Sequence, residues 1–196
     1  MSVVMNGSGA QILTGTNTYT GSTSVEKGTL GLDGTGSIAD SSTVDVAQNG
    51  TFDISGVTTG SSSIQSLNGA GTVALGGNTL DITNGNASFG NTFSGVASGS
   101  GGLTVSGGTE TLSGANTYTG DTVVASGAGL NLPGSVTGAL TTAGTTDVDG
   151  GTVAGLTTNS GTLTAEKGKL ADVANNGGTA TLSDTTAGAV TNAAGA

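Results

Sequence analysis

The groups in this chain that could carry chemistry are ten aspartates, three glutamates, three lysines and many Ser, Thr and Asn side chains. No His, Cys or Arg accompanies them. A Ser-His-Asp triad, a thiolate nucleophile and an ordinary zinc site therefore lack their parts. A glycosidase needs two carboxyl groups held at a fixed separation. Here the acids are spread singly on alternating positions, as at Asp45, Asp53 and Asp81. That spacing suits solubilising residues on the outward face of strands. No catalytic residue is expected.

Three weaker constellations remain. Asp147-Val148-Asp149-Gly150-Gly151 opens like a calcium loop, but the twelfth position, where such a loop needs Glu, is Thr158. A solvated turn is expected, with no metal. The pairs Asn17/Tyr19 and Asn116/Tyr118 could form a carbohydrate-stacking platform. The two tyrosines lie several coils apart, too far for one sugar site, and a corner asparagine with a tyrosine closing a coil is the plainer role. Thr162-Leu163-Thr164 and Thr179-Ala180-Thr181 could stack into a flat hydroxyl array of the ice-binding kind. The runs read as irregular in phase, and Thr is simply favoured on outer strand faces. No cofactor follows from any of these, and the residues that would bind a partner stay unassigned.

The elements that would position these groups are announced by a repeat. Leu13-Thr14-Gly15-Thr16-Asn17-Thr18-Tyr19-Thr20-Gly21 returns, 99 residues on, as Leu112-Ser113-Gly114-Ala115-Asn116-Thr117-Tyr118-Thr119-Gly120. Each copy runs into a Val-containing strand (Val25; Val123-Val124), a Gly (Gly28; Gly127) and a Leu pair (Leu30, Leu32; Leu130, Leu132). Elsewhere, short alternating segments such as Val44-Asp45-Val46, Phe52-Asp53-Ile54, Val73-Ala74-Leu75 and Leu80-Asp81-Ile82 have period two, the strand period. Gly-Thr-apolar units at Gly28, Gly50 and Gly71 are 22 and 21 residues apart, and the interval falls to about 17 beyond Pro133.

A three-residue strand cannot bury its apolar pair alone. Stacked about 4.8 Å above and below like strands, each pair joins an internal ladder. The spacing thus predicts an all-β parallel β-helix of roughly nine to ten coils, about 45 Å long from the strand spacing. It should form one unit over 1–196, with coils of about 21–22 residues in 1–132 and about 17 in 133–196. Leu30, Leu32, Val44, Val46, Phe52, Ile54, Val73, Leu75, Leu80, Ile82, Leu130 and Leu132 should point inward. Thr83–Ser100 reads as an irregular coil plugging the core with Phe89 and Phe93. Small inward residues at Ala180, Ala189 and Val190 should leave the last coil the weakest.

Composition excludes several partners. Net charge is −10 and the only cations are Lys27, Lys167 and Lys169. No basic stripe for nucleic acid can be built, and anionic membranes and polyanionic glycans would be repelled. No apolar run is long enough to span a bilayer. Met1-Ser2-Val3-Val4-Met5 has no basic n-region and does not read as a signal peptide; if the protein is exported, this chain is expected to be an excised fragment.

The two long copies resemble the passenger-associated transport repeat of bacterial autotransporters, also called the autotransporter-associated β-strand repeat. Leu13, Gly15, Asn17, Thr18, Tyr19, Gly21, Thr23 and Val25 match its pattern, as do Leu112, Gly114, Asn116, Thr117, Tyr118, Gly120, Thr122 and Val124. Ile64-Gln65-Ser66-Leu67-Asn68-Gly69-Ala70-Gly71-Thr72-Val73 is similar to segments of such passengers. The resemblance implies a right-handed parallel β-helix displayed on the surface of a Gram-negative bacterium, with the translocator β-barrel outside this fragment. It implies a stalk or adhesin segment whose partner is a host-cell or matrix protein or glycan, or another bacterium through self-association. The alternative is a spacer supporting an enzyme or toxin domain outside this fragment.

Overall fold

A computed structural model describes residues 1–85 and 91–193. Among them there is no helix, and every strand pairing is parallel. The chain winds as a β-solenoid. Its first sheet runs through ten coils, with Val3–Leu13, Thr23–Gly34, Val44–Val57, Leu67–Gly69, Thr92–Phe93, Thr109–Leu112, Gly129–Asn131, Thr145–Asp149, Thr162–Glu166 and Thr179–Ser183 in order, and Thr72–Gly76 and Val96–Gly99 as second strands of two of them. A second sheet stacks eight strands from Ser61–Ile64 up to Val190–Asn192, and a third joins Ser135–Val136, Thr152–Val153 and Lys169–Leu170.

Alternation decides which side chains fill the bore. All twelve residues expected inside are buried. They stack in register, Leu30 under Phe52 under Val73 under Ala97, so each apolar pair is covered by the coils on either side. Phe93 is fully buried as expected, whereas Phe89 lies outside the described residues. The first three coils depart from the expectation of very short strands. Val44–Val57 is one strand of 14 residues containing both Val44-Asp45-Val46 and Phe52-Asp53-Ile54. Register shifts between neighbouring strands let it bend without breaking. A Cβ on Gly50, at this bend, would sit 2.1 Å from the carbonyl oxygen of Val25, so only glycine fits so close to the coil below. Gly28 and Gly127, equivalent positions of the two repeats, both adopt positive φ, 80° and 83°. Glycine reaches that conformation without a Cβ penalty.

Toward the C-terminus the bore becomes polar. The inward column of the second sheet begins Ile64, Ile82, Val105, Val124 and continues Thr142, Asn159, Asn175, Asn192. The buried amides satisfy one another. Asn159 Nδ2 donates to Asn175 Oδ1 at 2.7 Å and to Thr179 O at 3.0 Å, and Asn159 Oδ1 accepts from Gly161 N at 3.1 Å. Asn175 Nδ2 donates to Gly178 O at 2.8 Å. A paired amide ladder tolerates burial where a lone amide would not. The final strand is uncovered: Val190 faces Val173 but remains 51 % exposed, and Ala180 is half-buried.

Candidate functional site

The repeat residues were the first candidates for binding, and the fold turns them inward. Tyr118 is fully buried, and its hydroxyl lies 2.6 Å from Thr122 Oγ1, at the first residue of the next strand. Tyr19 repeats the arrangement, with its hydroxyl 2.7 Å from Thr23 Oγ1, which in turn meets Ser41 Oγ at 2.9 Å. Burial pushes both phenols above their ordinary pKa, partly offset by the threonine hydroxyls. Asn116 Oδ1 accepts from Ala97 N at 3.0 Å in the coil below, while its Nδ2 donates to Gly114 O at 3.3 Å. Asn17 Nδ2 bridges Gly15 O and Ser37 O. The asparagines thus tie a corner to the neighbouring coil, and the tyrosines brace that corner against the strand that follows it. Neither ring offers a face for stacking on a sugar.

The aspartates follow the outward reading, and one glutamate breaks it. Asp147 and Asp149 sit two residues apart on the strand Thr145–Asp149, with their side chains on the outer face. No group of three potential metal ligands occurs among the described residues. Asp81 accepts from Ser106 Oγ at 2.6 Å across neighbouring coils. Glu110, however, points into the bore and is fully buried. Its Oε2 accepts a long 3.5 Å bond from Leu67 N, and its Oε1 has no partner among the described residues. Burial pushes its pKa up to about 9, partly offset by the Leu67 and Thr111 backbone groups, so the carboxyl is neutral at physiological pH. The expectation that the acids are uniformly solubilising is corrected here. Parity was the available signal: Glu110 is two residues from the inward Leu112.

The threonine runs are also corrected. They are in phase. Thr145, Thr162 and Thr179 form one outward column, and Asp147, Thr164 and Thr181 form the next. The second column continues downward through Asn131, Thr111 and Thr92. In the early coils, Ser24, Asp45 and Asn68 align in the same way. No cavity opens among the described residues. What the molecule offers a partner is therefore a series of polar ladders at strand spacing, about 4.8 Å apart.

The family model described as passenger-associated-transport-repeat matches residues 3–32 and 107–128, the two segments containing the inward tyrosine latches and the strands they adjoin. The chain is 35 % identical over 128 residues to a protein named adhesin BmaC autotransporter, from Brucella suis biovar 1 (strain 1330). That alignment takes in 62 % of this chain and 4 % of the relative, so the chain spans a small part of that protein. No solved structure matches. Repeat match, similarity and stacked parallel coils together support an autotransporter passenger built with passenger-associated-transport repeats.

Proposed function

We propose that this segment is a surface-displayed stalk and adhesin segment of a bacterial autotransporter, exposed outside the Gram-negative outer membrane. Its role is to mediate attachment to host cells, to matrix or to other bacteria. The observation that carries this reading is the division of labour in each coil. Repeat residues such as Tyr118 and Asn116 point inward, bracing the corner and tying it to the next coil, while ladders of Thr, Asn and Asp face outward. Recognition then spreads over a face instead of entering a pocket, and many weak polar contacts add along the axis. The Brucella relative is itself named an adhesin, which supports the same reading.

The test is whole-cell adherence with this segment deleted, compared with its replacement by an unrelated β-solenoid of equal coil number. Attachment lost in both variants supports direct adhesion. Attachment restored by the replacement overturns it in favour of a spacer that holds another domain away from the cell.

A further inference from the structure

The sequence contains five Asn-Gly pairs: Asn6-Gly7, Asn49-Gly50, Asn68-Gly69, Asn84-Gly85 and Asn176-Gly177. Such a pair can rearrange on its own, because glycine offers no side chain to block attack by its backbone nitrogen on the preceding side-chain amide. The attack needs a free nitrogen and a backbone able to bend toward it. Four of the five pairs lack these conditions. Gly50 and Gly69 are paired in the first sheet and packed against Val25 O and Val46 O. Gly85 N donates to Gly107 O at 2.9 Å. Asn6-Gly7 lies within the strand Val3–Leu13, held by the pairing of Asn6 with Lys27 and of Ala10 with Thr29, so its backbone is less free to bend.

The fifth pair is different. Asn159 pairs with Asn175 and Thr162 with Thr179, so the upper coil has one residue more than the lower between these points. The extra residue bulges into solvent at Gly177. Its φ is +101°, and the position of a Cβ there meets nothing within 4 Å. Gly177 N donates no hydrogen bond among the described residues, and the exposed Asn176 side chain makes none. Asn176 N is held at 2.6 Å from Asn159 O, which anchors the residue under attack. We propose that Asn176-Gly177 is a site of spontaneous covalent modification, at which the asparagine converts to aspartate and isoaspartate with solvent water as the only co-reactant.

In the first step Gly177 N bonds to Asn176 Cγ and the side-chain amide leaves as ammonia, closing a five-membered succinimide. Water then adds to either carbonyl and reopens the ring, giving aspartate, or isoaspartate with one extra methylene in the main chain. Either product places a new carboxylate beside the Asn159–Asn175 ladder, and isoaspartate lengthens the turn that Asn175 Nδ2 ties to Gly178 O.

The experiment is timed incubation of the whole folded chain at physiological temperature and mildly alkaline pH. Peptide mapping by mass spectrometry follows, with fragmentation that separates aspartate from isoaspartate. A denatured sample and Asn176→Gln run in parallel. In the folded chain, Asn176 should convert about tenfold or more faster than the other four, the difference arising from local geometry. In denaturant the five rates should converge, and Asn176→Gln should abolish the product at that peptide. A folded chain in which another Asn-Gly pair leads, or in which the ranking equals that of the denatured chain, overturns the proposal.

Discussion

Replacing Glu110 by Gln should stabilise this protein, and by an amount that grows with pH. The side chain is fully buried, with one weak bond at 3.5 Å and one oxygen unpartnered among the described residues. Its pKa rises from an ordinary 4.5 to about 9 in the fold. The sign follows from linkage. Below the unfolded value both states hold the proton, and the group exerts no pH-dependent penalty. As pH rises, the unfolded chain releases its proton while the folded chain keeps it, so stability falls until the folded carboxyl ionises near 9. Each pH unit in that window is worth about 1.4 kcal/mol, so the penalty near neutrality is about 3 kcal/mol. Gln has nearly the same shape, can still accept from Leu67 N and does not titrate. Chemical unfolding followed by far-UV circular dichroism, at intervals between about pH 5 and pH 8, should give a difference between variant and parent that climbs at about 1.4 kcal/mol per pH unit. The exposed acids are common to both chains and cancel in that difference. Parallel stability curves for the two proteins would refute the buried, protonated carboxyl.

Three further outcomes follow from the same packing. Tyr118→Phe deletes the 2.6 Å contact and strands the buried Thr122 hydroxyl, which should cost about 1–2 kcal/mol in denaturant unfolding; an unchanged midpoint would show that the latch does not hold the corner. Asn159→Ala unpairs Asn175 Oδ1 and Thr179 O, leaves Gly161 N with Thr142 O as its one acceptor, and should cost about 2–4 kcal/mol, with the loss read by thermal melting. In the isolated segment, amides around Val190 should exchange hydrogen much faster than those around Leu75, since Val190 is 51 % exposed and Leu75 is fully buried. Equal protection at the two places would contradict an uncovered last coil.

Much of the architecture was legible from residue order, for a definite reason. Side chains on a strand alternate, so Val44/Val46, Leu80/Ile82 and Leu130/Leu132 declared their inward face locally, and a recurrence near 20 residues announced stacking. The repeated Tyr and Asn were legible as corner residues, because a lone Tyr among so few aromatics must be either displayed or spent on closure. Negative charge and the lack of His, Cys and Arg were likewise read from composition alone. Three features belonged to the tertiary structure. The phase of Thr145, Thr162 and Thr179 depends on how turns absorb an extra residue such as Gly177, which local pattern does not reveal. The Asn159–Asn175 ladder exists only because two turns distant in sequence close at the same point of the bore. Glu110 meets Leu67, 43 residues away, so its neutral state is created by a neighbour that only winding supplies. Parity along a strand is a local property, whereas the partner above or below is set by the length of every intervening turn, and the buried polar groups of this solenoid depend on that second quantity.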